Sequence, residues 1–560
     1  MRPLPEGLRC LRPYALLILV CLGLYLPGIA AIPPLDRDEA RFAQATRQML
    51  ETGDFLRIRF QDEARNRKPA GIYWLQAAAV AAFSSPAATA IWPYRLPSLL
   101  GATAAALLTL AFAAALFRDQ PQPRRRGLFA ALLLASALGV AAEAHIAKTD
   151  AALLAAVTAA QGALGLAYVA ARGGRPVSAW IAIVFWGGEI AAIFLKGPVG
   201  PGLAIVTAAT LVVVDRDLRW LRGLRPLAGL ALLVLAVAPW LYAIERVTEG
   251  RFLADSLGGD LWSKLRGGQE SHGAPPFSYL LFALVTFWPG SLLVAPTGVR
   301  AWRRRAAPAE RFLIAWLVPA WLLLELVPTK LPHYVLPLYP ALAMLSAAAL
   351  ADGADRLEAG WTLWLDRLVR LLWLVVTLGL AALLIGLPLR LGGELGGAGV
   401  AGAAGVIGAF LLLALAAALL WWRPPASRGA ALIAALALAF VVPAGAAVLP
   451  GLQRVWLSRG AAELVARHPG AAGAPLVAVG YSEPSLVFQL GTSVRLATPE
   501  AAALALLHGG EALVADRDDA SFRRAASARG LDARPLGSVA GLDYSNGQAM
   551  VLTLYAVLPG

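Results

Sequence analysis

Apolar runs of about 20 residues, long enough to cross a bilayer, recur along most of this chain and are separated by short clusters rich in arginine. The runs predict helical spans at about 13–32, 94–117, 127–146, 150–171, 179–195, 198–214, 227–244, 277–298, 312–328, 333–351, 369–390, 398–422 and 429–450. One further apolar run, Ala70 to Ser84, is ambiguous. Counted as a span, it would place Arg124, Arg125 and Arg126, and most later arginine clusters, on the outer face. Read instead as a helix on or dipping into the outer face, it keeps Arg118 with Arg124–Arg126, Arg172/Arg175, Arg216–Arg225, Arg300–Arg311 and Arg423/Arg428 inside. Lys and Arg in short loops set orientation in this way, and the run of about 15 residues is short for a span. About thirteen crossings from an inside N-terminus then put the C-terminal tail outside. From about Val455 the pattern shortens. Pro475–Gly480, Ser485–Leu490 and Ala512–Ala515 read as short buried strands, and Thr498-Pro499-Glu500 opens a helix. Asn546-Gly547 signals a hairpin before an apolar strand, Gln548 to Val557. The expected class is an α-helical polytopic membrane protein with a small C-terminal α/β domain. Its parts are a membrane domain over 1–452, in which 33–93 form an outer first loop, and a soluble outer domain over 453–560.

Composition supports this class. Of 560 residues, 59% are hydrophobic and 15% charged, where a soluble domain averages about 45–50% and 25%. The formal charge of +14 would suggest nucleic acid in a soluble protein, but here the excess follows the loops between apolar runs. Topology explains it better. Cys10 and Cys21 are the only cysteines, both at or in the first run, so neither a disulfide framework nor a thiolate metal site is available. The first run exceeds the apolar core of a signal peptide, about 7–15 residues, and reads as an uncleaved span.

Chemistry is carried by polar residues where membrane burial should exclude them, and the threading puts nearly all on the outer face. Asp36, Asp38 and Glu39 stand at the mouth of the first span, before an amphipathic helix with Phe42, Ala45 and Met49 on one side. Acids there would also serve as a helix N-terminal cap. The stretches A-K-T-D-A, F-L-K-G-P-V-G and T-K-L-P-H-Y-V-L-P-L-Y-P contribute Lys148 and Asp150, Lys196, and Lys330, His333, Tyr334 and Tyr339. The loop from Glu245 to Pro276 adds Lys264, Arg266, Glu270 and His272. A single lysine could be a snorkelling anchor. Separated loops converging on one face instead mark a functional site. Acids beside phosphate-binding cations suit transfer of a group away from a phosphate leaving group.

The motifs D-R-D-E-A-R-F-A-Q, R-K-P-A-G-I-Y-W, K-T-D-A, K-G-P-V-G and K-L-P-H-Y-V-L-P-L-Y-P resemble those of bacterial lipid A aminoarabinose transferases. These are grouped with protein O-mannosyltransferases among polyprenyl-phosphate-sugar glycosyltransferases of the GT-C fold. The resemblance covers about residues 10–350, and the tail is similar to that family's periplasmic domain. It implies a multi-pass inner-membrane enzyme with a periplasmic site, a polyprenyl-phosphate (undecaprenyl-phosphate) sugar donor, and lipid A or another envelope glycolipid as acceptor. Asp38, Glu39 and Asp150 would be catalytic, while Lys68, Tyr334 and Arg266 would grip the donor phosphate. Tyr73, Lys196, His272, Lys330 and His333 would be substrate contacts. Relatives often carry an acid before the lysine where this chain has Arg67; that puts a divalent metal there in doubt, and no complete ligand set is visible. The rival readings are a protein O-glycosyltransferase of the same superfamily and a lipid or sugar transporter. A transporter would carry its charges near mid-membrane, reachable from both faces.

Overall fold

The computed structural model of the chain describes residues 6–261, 273–353, 360–392, 399–422, 425–469 and 474–557. A helix, or a run of consecutive shorter helices, lies over each of the thirteen expected spans. Among the described residues, eight helices are long and apolar enough to cross a membrane. The number is nine if the pair Pro123–Ser136 and Leu138–Ala144, bent by 64°, forms one span. The first helices of the chain are α1 (Glu6–Tyr25), α2 (Asp38–Thr52), α3 (Gly71–Phe83), α4 (Trp92–Leu116), α5 (Pro123–Ser136), α6 (Leu138–Ala144), α7 (Asp150–Arg172), α8 (Ala179–Lys196), α9 (Val199–Asp215) and α10 (Pro226–Val247). The ambiguous run forms α3. Its 13 residues reach about 20 Å at 1.5 Å per residue, short of a hydrocarbon core of about 30 Å.

Small residues set how closely these helices approach. A Cβ on Gly101 of α4 would lie 2.7 Å from the Ala151 carbonyl oxygen, and one on Gly71 of α3 would lie 2.6 Å from that of Phe194. Backbones can meet that closely only without a side chain between them. The first contact draws the N-terminus of α7, with Asp150, against α4. The second draws the start of α3, just after Lys68, against the end of α8, where Lys196 stands.

Between α1 and α2 the chain turns through Arg37, whose φ of +62° and ψ of −100° are costly for a non-glycine residue, about 1–3 kcal/mol. The turn is held from the core side by a buried ion pair. Both carboxylate oxygens of Glu39 accept from Arg95 of α4 at 2.8 Å. Glu39 also accepts from the Leu35 and Ala147 N–H groups at 2.8 Å. The rest of the Arg95 guanidinium donates to the carbonyls of Ile29, Ile32 and Pro33. Glu39 is 1% exposed and Arg95 0%, so the pair lies fully out of water with its hydrogen-bonding capacity used.

The C-terminal part forms one five-stranded sheet. With β1 (Arg59–Phe60) and β2 (Glu63–Ala64) forming a small antiparallel hairpin in the first loop, the sheet comprises β3 (Leu476–Val479), β4 (Arg495–Leu496), β5 (Glu511–Ala515), β6 (Ala533–Asp543) and β7 (Gln548–Val557). The order is β4-β3-β5-β7-β6, parallel among the first three and antiparallel across β5-β7-β6. Val477 faces Ala512 in the β3–β5 register. Strands form where expected at 476–479, 511–515 and 548–557, and Thr498 caps the helix Pro499–Leu507. Ser485–Leu490, expected as a strand, is instead part of the helix Pro484–Leu490. Pro484 sits at the first helical position, which its fixed φ favours. A run this short carries too little periodicity to distinguish strand from helix.

This sheet unit docks on the first loop. Gln44 of α2 donates to Thr492 Oγ1 (2.7 Å), Thr492 donates to Glu51 (2.8 Å), and Arg47 donates to the Phe488 carbonyl (2.7 Å) while stacking on its ring at 4.4 Å. Nearer the turn, the Asp36 N–H donates to Tyr544 Oη (2.6 Å), the Ser485 N–H donates to Asp36 Oδ1 (3.3 Å), and Arg37 donates to the Ser545 carbonyl (3.0 Å).

Two outcomes are expected. Glu39→Ala should destabilise the chain by about 3–5 kcal/mol, because it strands a buried guanidinium; a thermal midpoint in detergent within a degree or two of wild type would contradict this. Docking should also depend on pH. Burial under the sheet unit pushes the Asp36 carboxyl up to about 6, with Glu483 adding to the shift and the Ser485 and Tyr544 hydrogen bonds opposing it. The docked state then holds the proton more tightly than the free loop. Its contribution, about 2–3 kcal/mol, is full below the ordinary carboxylate range and lost as pH rises through about 6. Proteolytic release of the C-terminal unit should therefore be slower at about pH 4–5 than at about pH 8. Asp36→Asn should flatten that difference, and an unchanged difference would count against Asp36 as its source.

Candidate active site

Five separated segments meet at the end of the bundle that carries the sheet unit. The start of α2 brings Asp38 and Arg41, and the strand-and-loop segment after it brings Arg65, Arg67 and Lys68. The junction of α6 and α7 brings Lys148 and Asp150, the end of α8 brings Lys196, and the loop before Tyr339 brings His333 and Tyr334. All of these line one cavity of about 420 Å³. Local sequence explains the placements. Asp150 is the first residue of α7, so its carboxylate stands at a helix N-terminus, where negative charge is favoured. Lys196 is the last residue of α8, and Gly197, at φ +62°, turns the chain sharply into α9.

The charges form a connected cluster. Lys196 Nζ lies 2.5 Å from Asp150 Oδ1, Lys148 Nζ lies 3.6 Å from Asp150 Oδ2 and 2.9 Å from Glu143 Oε1. His333 stands 3.9 Å from both Glu143 and Asp150 and 3.4 Å from Lys148 Nζ. Burial opposes the charge on Lys148, but Glu143 and Asp150 hold it above the usual lysine range. Tyr334 packs edge-on to His333 at 5.0 Å, and Lys196 Nζ lies 5.1 Å from its ring centroid.

A second cavity, about 540 Å³ and almost wholly apolar in its lining, adjoins the first and shares Arg67, Lys68, Asp150, Lys196, His333 and Tyr334 with it. Its wall includes Trp240 and Phe252, whose rings stack edge-on at 5.4 Å, and Trp240 in turn packs on Phe194 and Trp74. One end of the combined space is charged and the other greasy. An amphiphile with an anionic head fits that division.

Asp38, Asp150, Lys68, Lys196, His333 and Tyr334 are thus brought together. Three sequence-derived candidates do not line either cavity. Glu39 faces the core and is consumed by Arg95, because adjacent residues on a helix point about 100° apart. Tyr73 is buried against Phe42, with ring centroids 5.3 Å apart. Lys330 donates to the carbonyls of Glu325 (2.8 Å) and Val327 (2.6 Å). Arg266 and His272 lie outside the described residues. The sequence reading passed over Glu143, whose second carboxylate oxygen is buried without a hydrogen-bond partner. It is an acid inside an expected span, and that alone marks it as a functional candidate. Among the described residues no group of three or more His, Cys, Asp or Glu is placed to hold a metal ion. Asp150 answers to Lys148 and Lys196 instead.

No protein-family model matches the chain. It is 30% identical over 365 residues to undecaprenyl phosphate-alpha-4-amino-4-deoxy-L-arabinose arabinosyl transferase 2 of Pseudomonas fluorescens (strain Pf0-1), covering 64% of this chain and 63% of that protein. It is also 30% identical over 380 residues to the transferase 1 of another Pseudomonas fluorescens strain, covering 66% and 64%. The matches thus span just under two thirds of these relatives' length. In fold it is similar to ArnT from Cupriavidus metallidurans, solved bound to undecaprenyl phosphate, with a TM-score of 0.71 at 19% identity over 96% of this chain and 97% of that one. The apo form of the same protein gives 0.70. In sequence the chain is thus similar to the bacterial aminoarabinose transferases over just under two thirds of its length, and in fold to the multi-helix ArnT over nearly all of it.

Proposed function

We propose that this chain is an integral-membrane glycosyltransferase that moves a sugar, in the first instance 4-amino-4-deoxy-L-arabinose, from undecaprenyl phosphate to lipid A on the periplasmic face. The observation that carries this reading is the joined pair of cavities: a charged chamber with Lys68, Lys196 and Tyr334 at its boundary, opening into an apolar groove. A polyprenyl chain would lie in the groove with its phosphate at that boundary. The names of the sequence relatives supply the sugar and the carrier.

In this reading an acceptor oxygen attacks the anomeric carbon from the side opposite the donor phosphate. The bond from that carbon to the phosphate oxygen breaks, and its electron pair leaves on the phosphate. Lys68 and Lys196 meet the charge that develops there, in surroundings of low dielectric where such contacts count most. Asp38 lies across the chamber and orients the acceptor. A phosphate acceptor is already largely ionised near neutral pH, so Asp38 acts on it through charge; for a hydroxyl acceptor it would take the proton. Asp150 holds Lys196 and Lys148 in place. Glu39 becomes a support for the Asp38 turn. Residues 453–560 form the outer domain.

Asp38→Asn should keep the fold, since Arg37 and not Asp38 stands at the N-cap of α2 and Asn has nearly the same size and shape as Asp. Transfer should nevertheless fall about 100–1,000-fold. In the same single-turnover assay Lys68→Ala should weaken undecaprenyl phosphate binding about 10–100-fold, the worth of one charge-assisted hydrogen bond. Near-normal transfer by a stable Asp38→Asn protein would sink the assignment of Asp38. Orientation is tested in a cysteine-free background with an impermeant thiol reagent on intact cells. Exposed Ser527→Cys should label and exposed Arg124→Cys should not; the reverse pattern would move the site to the cytoplasmic face.

A further inference from the structure

The backbone that presents Asp38 is gripped from two sides. Beneath it, Glu39 is anchored to Arg95. Above it, the turn between β6 and β7 reaches down to residues 36 and 37. That turn is internally braced: Asp543 Oδ1 accepts the Ser545 N–H (3.1 Å), Asp543 Oδ2 accepts the Asn546 amide (2.8 Å), and Gly547 adopts a φ of +76°. Tyr544 Oη accepts the Asp36 N–H at 2.6 Å, and the Ser545 carbonyl accepts from the Arg37 guanidinium at 3.0 Å. Between the two grips sits Arg37, in a backbone conformation that L residues rarely hold unsupported. The dihedrals of Arg37 fix the direction in which Asp38 leaves the turn, and Asp38 lines the charged cavity.

We propose that the C-terminal sheet unit is a positioning device for the reaction, and that Tyr544 is its positioning residue. By holding the Asp36 N–H it keeps Arg37 in the turn that aims Asp38 into the cavity. This rests on the reading of Asp38 as the acid that orients the acceptor. It gives the sheet unit a role in turnover although none of its residues lines the two cavities. It also separates two effects. Lys68, Lys196 and Tyr334, which meet the donor, come from elements that the Tyr544 turn does not touch, so loosening the turn should disturb chemistry and spare donor binding.

The test uses the full chain in detergent, with Tyr544→Phe, which deletes only the accepting hydroxyl, and Asp36→Ala, which keeps the Asp36 N–H but removes the carboxylate that the Ser485 N–H of the sheet unit holds. Three readings are taken on each: transfer kinetics, affinity for undecaprenyl phosphate, and hydrogen exchange of the amides over residues 35–40. Expected are a fall in kcat of about tenfold or more, as small misplacements of catalytic groups produce, and faster exchange in that segment. KM for the donor and undecaprenyl phosphate affinity should stay within about twofold. Wild-type kcat and wild-type exchange in Tyr544→Phe would overturn the proposal. So would loss of affinity in step with turnover in both variants, since the contact would then be a folding element and nothing more. If the wild-type chain transfers no sugar, the reading of the reaction fails. The exchange measurement still decides, separately, whether Tyr544 holds the turn.

Discussion

The bond between Glu39 and Arg95 sets where the first outer segment lies. Removed from water, each charge is tolerable only because the other neutralises it and because backbone groups take up the remaining hydrogen-bonding capacity. The pair ties the end of α1, the turn at residues 33–39 and the Ala147 amide to α4 at once. Everything the site needs from the first loop is referenced to that point. Asp38 and Glu39, neighbours of the same type, are divided by helix geometry into a group that faces the cavity and a group that holds the wall.

The cavity carries an excess of positive charge: Arg37, Arg41, Arg65, Arg67, Lys68, Lys148 and Lys196 line it against Asp38, Glu63 and Asp150. Lys148 and Lys196 are already engaged by Glu143 and Asp150. In the proposed reaction an incoming phosphate would compete with these carboxylates for Lys148 and Lys196, and the protein would have little reorganisation left to do when charge moves onto the leaving oxygen. The apolar groove beside it lowers the local dielectric, which strengthens those same contacts. Pairing and apolar burial act together here: burial opposes the charge on Lys148, and Glu143 and Asp150 hold it.

The C-terminal sheet unit is built into the outer end. Gln44, Arg47 and Gln48 of α2 are buried, although an amphipathic helix on a membrane surface would turn them to water. They are buried because the sheet unit covers that face and takes one hydrogen bond each from Gln44 and Arg47. Gln48 is satisfied within the first loop, by Gln61. The loop with the candidate catalytic acid is thus sandwiched between membrane helices and sheet.

The membrane class, a helix or run of helices over each expected span and the short α3 were legible in the sequence, because bilayer burial acts on composition over a window of about 20 residues. So were Asp38, Lys68, Asp150, Lys196, His333 and Tyr334, which the structure brings to one cavity. Lysines, acids and tyrosines at the ends of apolar runs are anomalous whatever the tertiary structure. Other features depended on partners distant in the chain. Glu39 meets Arg95 56 positions away, and nothing local distinguishes it from Asp38. Even the near-neighbour contacts, Glu143 with Lys148 across the turn from α6 to α7 and Lys330 with the Glu325 and Val327 carbonyls, are set by turns that residue type does not reveal. The segment Ser485–Leu490 is too short for its pattern to decide between strand and helix. Hydropathy and residue type are local properties and can be read along the chain. Which of several like charges is neutralised, and which is left facing a cavity, is set by how distant segments pack, and only the tertiary structure decided that.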